Sequence, residues 1–170
     1  MTPLKGYLIL LEGFLSLKSD LQEKYVLEFA GRFDTEEEKS IFEERIEGKK
    51  NIRYHGLIDD EKKKELFEKT HIFCLPTMFF EGQPISILEA YAAGCVVITT
   101  GQSGILDIFT DQINGFRIQE NSSESITKIL SDLPVKQKSL LKIALYNNQS
   151  AVEKYRVGIY TSNLKDVIGL

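Results

Sequence analysis

The sequence predicts an α/β fold, in which a Rossmann-like parallel sheet is covered by helices on both faces. Short apolar segments alternate with helical patterns along the 170 residues, and this alternation is typical of parallel sheets. The segment 95–100 (CVVITT) is almost entirely apolar or β-branched, as in a strand buried on both faces. Since 42% of the residues are hydrophobic, the chain can bury the core of a single domain spanning 1–170.

The first half of the chain is predicted to hold three helices and two strands. Apolar residues at helical spacing, among them Tyr7, Leu11 and Phe14, predict the first helix. Asp34 has Glu37 three positions later, as in a capping box, and predicts the start of the second. In chain order, the predicted elements are a helix at 4–17, a strand at 25–31, a helix from 34 to about 47, a strand at 51–56 and a helix from 59 to 69.

The second half is predicted to continue the alternation. Pro84 suits the first position of a helix, and Gly94 suits the left-handed residue that ends it. The pair Asn147-Asn148 is predicted to interrupt a long helix near the end of the chain. The predicted elements are a strand at 72–75, a helix at 84–93, a strand at 95–100, a short helix after the loop 101–104, a strand at 115–118, and helices from 122 or 123 to 133, at 135–155 and at 157–168.

Four loops are expected to meet at one edge of the predicted sheet. They begin at Gly31 and Gly56 and include the segments 77–83 and 101–104, each of which follows a predicted strand. Ligands of open parallel sheets bind outside the carboxyl ends of the strands. The sequence therefore places a binding site at this edge.

One helix of the prediction carries an unusual charge. The helix 84–93 is apolar nearly all round, which predicts that it is buried, yet it contains Glu89. A lone buried carboxylate is costly unless it is hydrogen-bonded. A second carboxylate, Glu81, lies eight residues earlier, and the free N–H groups of a helix start lie between the two and can bind an anion. Two hydroxyl-binding carboxylates beside an anion site suit a sugar joined to a nucleoside diphosphate.

The segment that contains both glutamates resembles a known family. Residues 81–90 (EGQPISILEA) resemble the signature of the retaining glycosyltransferases with the GT-B fold, in the "group 1", family-four class. Residues 92–94 (AAG), 96–99 (VVIT), 104–107 (GILD) and 114–116 (NGF) match this family too, so the resemblance covers about 4–130. It implies that the chain is the C-terminal, donor-binding half of an enzyme whose N-terminal acceptor domain is absent.

The resemblance also implies roles for individual residues. Glu81 would be the catalytic-site carboxylate that faces the donor sugar, Glu89 would hold the ribose hydroxyls, and Lys5 would contact the diphosphate. Arg32 suits a plain surface residue equally well, and Asp60 and Lys63 also suit a solvated helical face. The other donor-binding residues are a phosphate and sugar cradle (Gly82, Gln83, Ile85 and Ser86), a nucleobase corner (Asp60 and Lys63, with the backbone of Leu57 and Ile58) and a strand end (Gly31 and Arg32).

The expected substrate is a UDP-, GDP- or ADP-sugar, with no further cofactor. The sequence contains no Asp-x-Asp motif, so no metal ion is expected at the diphosphate. A formal net charge of −4 disfavours nucleic acid as a partner. Cys74 and Cys95 are expected to be reduced structural thiols, and His71 is expected to be structural. His55 lies near the expected nucleobase pocket, but it suits a surface position on a strand at least as well. A cytoplasmic location is predicted, with peripheral association of the full-length enzyme at the inner membrane face left open.

The predicted function is transfer of a hexosyl group to an acceptor hydroxyl with retention at the anomeric carbon, in surface polysaccharide or glycoconjugate synthesis. The chain alone is expected to be inactive, because the acceptor domain is missing. Two alternatives use the same fold: a fragment of a sugar-nucleotide epimerase, and a non-catalytic nucleotide-binding module in which Glu89 is paired internally. A receiver domain is disfavoured, because the strand 25–31 ends without clustered acids.

Overall fold

The computed structural model describes residues 1–118, 122–156 and 158. The predicted helix at 157–168 falls, apart from Gly158, outside these residues. Eight α-helices and five strands are present in the described part of the chain. They are α1 (Tyr7–Leu15), α2 (Ser19–Gln22), β1 (Leu27–Phe29), α3 (Glu36–Ile46), β2 (Ile52–Tyr54), α4 (Asp60–Lys69), β3 (Ile72–Leu75), α5 (Ile85–Ala92), β4 (Val96–Thr99), α6 (Ser103–Leu106), β5 (Gly115–Arg117), α7 (Ser123–Asp132) and α8 (Gln137–Lys154).

All strand pairs in the two sheets are parallel, which confirms the predicted α/β class. β1 pairs with β2, and β3, β4 and β5 form a three-stranded sheet with β4 in the centre. β1 and β3 are not paired with each other, so the described strands form one sheet of two strands and one of three.

Helices cover both faces of the three-stranded sheet, as predicted. Ile72 and Cys74 of β3 join a core built with α1 and α7, whereas Phe73 and Leu75 pack with α5 and α8. Alternate residues of a strand point to opposite faces, so these two cores lie on opposite sides of the sheet. All four residues of β4 are buried, which confirms the interpretation of segment 95–100.

Two of the predicted helix starts are displaced by one residue. The cap of α3 is Thr35 and not Asp34, since the Thr35 hydroxyl accepts a hydrogen bond from the Glu38 amide at 3.1 Å. Pro84 is the cap residue of α5 and not its first helical residue. Asp59 caps α4 as predicted, and accepts from the Lys62 amide at 2.8 Å.

The predicted break at Asn147 is wrong, because α8 is continuous. Asn147 is fully buried, and its side chain makes three hydrogen bonds. Its amide donates to the carbonyls of Cys95 at 2.8 Å and Asn114 at 2.9 Å, and its carbonyl oxygen accepts from the Asn114 side chain at 2.9 Å. The asparagine therefore ties α8 to the ends of β4 and β5, and a fully bonded polar group is tolerated inside a core.

The predicted first helix is divided at Gly6. Pro3–Lys5 form a 3-10 turn, Gly6 has φ +78°, and α1 starts at Tyr7. The division turns the first residues of the chain across the carboxyl ends of β1 and β3, where the predicted site lies.

Candidate functional site

A cleft of about 730 Å³ lies between β1 and β3 and runs along both strands, from Lys24 and Lys69 before their amino ends to Gly31 and Pro76 after their carboxyl ends. Its volume falls within the usual range of small-molecule sites. Apolar residues of the two strands, α1 and α4 line its middle part, and charged or polar side chains line both ends; the end at Gly31 and Pro76 is called the mouth below. The predicted site residues at the mouth are Lys5, Gly31, Lys63, Ser86 and Glu89, and Leu57 and Ile58 of the predicted nucleobase corner line it too.

Residues 3–6 lie against the loop 77–83 that follows β3. The Leu4 carbonyl accepts hydrogen bonds from the amides of Met78 at 2.7 Å and Phe79 at 3.3 Å. A Cβ atom built at Gly6 would lie 2.1 Å from the Pro76 carbonyl oxygen, so only glycine permits this approach. The two segments are therefore held together by their backbones, and this contact positions Lys5.

Lys5 and Glu81 form one of three ion pairs in this region; the others join Lys63 to Glu89 and to Asp60. The Lys5 ammonium donates to Oε1 of Glu81, and the Thr77 hydroxyl donates to the same oxygen at 3.0 Å. The side chain of Glu81 is 8% exposed and that of Lys5 is 43% exposed. Glu81 was expected as a loop carboxylate near the sugar, and the structure instead buries it beneath Lys5, with its charge compensated.

Lys63 and Glu89 form the second ion pair, with a distance of 2.8 Å between Lys63 Nζ and Glu89 Oε1. Glu89 is 34% exposed at its side chain and faces the cleft, so the prediction of a buried, unpaired carboxylate is wrong. The reason is that α5 is covered on one side only: Ile87, Ala90 and Tyr91 are buried, whereas Ile85 is 70% exposed.

The charge of Lys63 is stabilised by two carboxylates. The hydrogen bond to Glu89, and then the one to Asp60 at 3.2 Å, raise the pKa of Lys63 above its ordinary value of 10.5. Because its pKa is raised, the Lys63 ammonium stays protonated at every pH below the ordinary lysine pKa of 10.5. The mouth of the cleft thus keeps this positive charge throughout the neutral range.

The loop 77–83 is also fixed from its other side, by α6. The Gly104 amide donates to the Glu81 carbonyl at 3.2 Å. A Cβ at position 104 would lie 1.5 Å from the Gly82 carbonyl oxygen, so the loop and the helix meet backbone to backbone. This contact brings segment 101–104 to the same edge as the loop, as the sequence predicts.

Other predicted site residues do not line the cleft. Asp60 does not line the cleft and is connected to it only by the ion pair with Lys63. The Asp60 side chain is 98% exposed. The residues without a place in the cleft lining, most of them exposed, are Arg32, Gly82, Gln83 and Ile85, together with the buried Glu81.

Sequence reasoning missed Thr77. This residue is fully buried, donates to Glu81, and accepts through its hydroxyl from the Phe79 amide at 3.1 Å. Its carbonyl accepts from the Thr100 hydroxyl at 2.7 Å. A threonine directly after the Pro76 strand end is a weak signal, because such residues are common in turns.

The model of the family described as "Glycosyl transferases group 1" matches residues 1–149. The chain therefore belongs to the group 1 glycosyltransferase family, as its signature predicts.

Individual relatives are longer than this chain. A sucrose synthase of Melioribacter roseus is 33% identical over 101 residues, which are 57% of this chain and 13% of that protein. The crystal structure of Anabaena Alr3699/HepE in complex with UDP-glucose is similar with a TM-score of 0.84 and 16% identity, and the match covers 100% of this chain and 47% of that one. This chain thus spans under half the length of both.

One similar structure is itself a single domain. The C-terminal domain of a group 1 glycosyl transferase family protein (LpcC) from Francisella tularensis has a TM-score of 0.77 and 24% identity, over 92% of this chain and 83% of that chain. These likenesses agree with the predicted fold of a C-terminal GT-B domain. Among the described residues, no helix is long and apolar enough to cross a membrane.

Proposed function

We propose that the chain is the donor-binding domain of a retaining glycosyltransferase, which moves a hexosyl group from a nucleoside diphosphate to an acceptor hydroxyl. The observation that carries the proposal is the meeting of Lys5, Lys63, Ser86 and Glu89 at one cleft mouth. These residues come from the chain start, α4 and α5, and their chemistry matches the three parts of a nucleotide-sugar. The complex of HepE with UDP-glucose supports the substrate class.

In the proposed complex, the lysines and glutamates of two ion pairs exchange their present partners for groups of the donor. Lys5 is paired with Glu81 and Lys63 with Glu89. In the proposed complex, diphosphate oxygens bind the lysines and sugar hydroxyls donate to the carboxylates. Charge-assisted hydrogen bonds of this kind replace the internal pairs at similar strength. Glu81 would require a movement of the loop 77–83 to reach the sugar, because it is buried.

Leaving-group stabilisation is the catalytic contribution that this domain can make. Negative charge builds on the β-phosphate as the bond to the sugar breaks, and cations fixed at that position lower the barrier. Lys5 and the first amides of α5, beginning at Ile85, are the groups proposed for this role. A reaction without a bound metal ion, a cytoplasmic location and a role in surface polysaccharide synthesis belong to the same proposal.

A non-catalytic module is the second candidate, and one observation favours it: both glutamates are already paired with lysines. Such pairs can be purely structural. A sugar-nucleotide epimerase would bind the same donor, and analysis of the product formed by a full-length enzyme would separate epimerisation from transfer.

Calorimetric titration with UDP-, GDP- and ADP-glucose tests the proposal through Lys63→Ala. We expect one nucleotide to bind the parent chain and its affinity to fall about tenfold in the variant, which is the value of one charge-assisted hydrogen bond. Lys64→Ala is the matched control, since Lys64 lies on the same helix, is 79% exposed and does not line the cleft. Equal affinities in Lys63→Ala and Lys64→Ala would remove Lys63 from the site. No heat with any nucleotide would contradict the proposed donor binding.

A further inference from the structure

Helix α8 is apolar on two opposite faces. Its inner face carries the buried Ile143 and Ala151, which join the cores on the sheet. On the opposite face, Leu145 is 63% exposed, and Leu141 and Val152 are exposed as well. Their helical spacing places these three residues in one row along the surface of α8. This row, called the outer stripe below, takes no part in the core of the domain.

Lysines lie beside the outer stripe. Lys138 precedes Leu141 by three positions and Lys142 precedes Leu145 by three positions, so each lysine is next to a leucine on the helix surface. Neither lysine forms an ion pair within the described residues, whereas every lysine of α4 is paired with a carboxylate. The positive charges beside the outer stripe are therefore not compensated by neighbouring groups.

The segment that contains α8 is opposite in charge to the chain as a whole. Residues 136–156 contain five basic residues and a single acidic one, Glu153, which gives a formal net charge of +4, whereas the whole chain has −4. Glu153 lies near the end of the helix and accepts from the Gln149 amide at 2.7 Å. Since the rest of the chain is acidic, an anionic partner is attracted to α8 in preference to other surfaces.

An anionic lipid surface satisfies both the leucines and the lysines. Helices that lie in a membrane interface bury leucines at the acyl-chain boundary, and anionic headgroups attract their lysines. A soluble polyanion would pair with the lysines and leave the outer stripe in water. A second copy of the chain is disfavoured as the partner, because contact between two α8 helices would bring uncompensated lysines together.

The outer stripe lies away from the cleft mouth. In the middle of α8, the Asn147 amide donates to the carbonyls of Cys95 and Asn114, which directly precede β4 and β5. α8 therefore lies near the amino ends of these strands. The mouth lies at the carboxyl end of β3, which is parallel to both, and so at the opposite edge of the sheet. A surface that covers the outer stripe leaves the mouth open.

We propose that the outer stripe, together with Lys138 and Lys142, docks the chain on an anionic lipid bilayer. The helix lies in the plane of the surface, with its leucines at the acyl-chain boundary and its lysines at the phosphate headgroups. This docking site is separate from the cleft, and the inference does not depend on the proposed function.

Co-sedimentation with lipid vesicles tests the proposal, with vesicles of phosphatidylcholine alone and of equimolar phosphatidylcholine and phosphatidylglycerol. Leu145→Ser removes part of the outer stripe, and Ile41→Ser is its matched control, since Ile41 is exposed on the acidic helix α3. Lys142→Gln removes one charge, and Lys64→Gln is its control, since Lys64 is exposed and paired with Glu68.

We expect the parent chain to bind the anionic vesicles about tenfold more tightly than the neutral ones, and less tightly as salt is added. Leu145→Ser should lower the affinity for anionic vesicles about tenfold, and Lys142→Gln about fivefold. Both control variants should bind as the parent does. Because all four positions are exposed, circular dichroism should show that every variant is folded.

A fluorescence probe distinguishes insertion from electrostatic adsorption. The chain contains no tryptophan, so Leu145→Trp introduces a single probe and keeps the outer stripe apolar. Its emission should shift to shorter wavelength when anionic vesicles are added, whereas the emission of Ile41→Trp should not change.

The proposal would be overturned if the parent chain bound both kinds of vesicle alike, or neither. Equal binding by Leu145→Ser and Ile41→Ser, with no shift in the emission of Leu145→Trp, would show that the lysines attract a polyanion only and would also overturn it. So would a dimer of the parent chain, seen by sedimentation, that Leu145→Ser dissociates, since a second copy would then cover the outer stripe.

Discussion

Glu89→Ala is expected to weaken nucleotide-sugar binding about 30-fold or more while the domain stays folded. The carboxylate lies at the cleft mouth beside Lys63, where it is proposed to accept the ribose hydroxyls. Truncation of one member of a hydrogen-bonded charge pair at a binding site costs about 2–5 kcal/mol, and 1.4 kcal/mol is a factor of ten in affinity. Calorimetry gives the affinity, and circular dichroism gives the fold.

The stability of the domain should change little in this variant, because Glu89 is partly exposed and Lys63 keeps its pair with Asp60 at 3.2 Å. Glu68→Ala is the control, since Glu68 is an exposed partner of Lys64 on the outer side of α4. Glu89→Gln keeps an oxygen acceptor and should retain part of the affinity. A Glu89→Ala variant that binds as tightly as Glu68→Ala would show that the ribose role is wrong.

Gly6→Ala should destabilise the domain much more than Gly48→Ala. Both glycines have a positive φ, +78° and +71°. A side chain in the left-handed region costs about 1–2 kcal/mol at either position. Only Gly6 is also enclosed, since its Cβ would lie 2.1 Å from the Pro76 carbonyl oxygen, whereas nothing lies within 4 Å of a Cβ at Gly48.

The contact at Gly6 joins the first residues of the chain to the end of β3, and these cannot separate without disturbing the Leu4 and Lys5 contacts with loop 77–83. Gly6→Ala should therefore cost roughly 3 kcal/mol or more in the free energy of unfolding, measured with urea. Gly48→Ala should stay near 1 kcal/mol. Equal losses in the two variants would show that backbone conformation alone, and not this close contact, requires glycine at position 6.

The sequence was sufficient to predict the strands and most helices, because their signals are local. The continuous apolar run before Thr100 predicts a buried central strand, and the structure buries all four residues of β4. The cap of α4 at Asp59 is likewise a local feature. Where two capping residues adjoin, as at Asp34 and Thr35, composition alone cannot choose between them.

The sequence was not sufficient to predict the electrostatics of the site. Glu89 lies in an apolar helix, yet α5 has packing partners on one side only and leaves Ile85 at the surface. Glu81 follows two phenylalanines in a loop, yet that loop is covered by residues 3–6 and by α6, so its carboxylate is the buried one. Burial depends on which elements meet, and this information is not contained in either segment.

Asn147 shows the same limit in the core. An Asn-Asn pair in a helical pattern predicts a break, because asparagine competes for backbone hydrogen bonds. Here the partners of Asn147 are Cys95 and Asn114, 52 and 33 residues away along the chain. A contact of that separation can be predicted only when the packing of α8 is known.

The most direct test of the central claim, that the cleft mouth binds a nucleoside diphosphate, is an NMR titration of the ¹⁵N-labelled chain with UDP, GDP and ADP. We predict that one of them shifts amide signals clustered at Gly6, Leu57, Ile58 and Ser86. No shift with any nucleotide at millimolar concentration would contradict the claim. So would shifts confined to a separate cavity near the amino ends of β1 and β2, which Gln22 and Asn51 line.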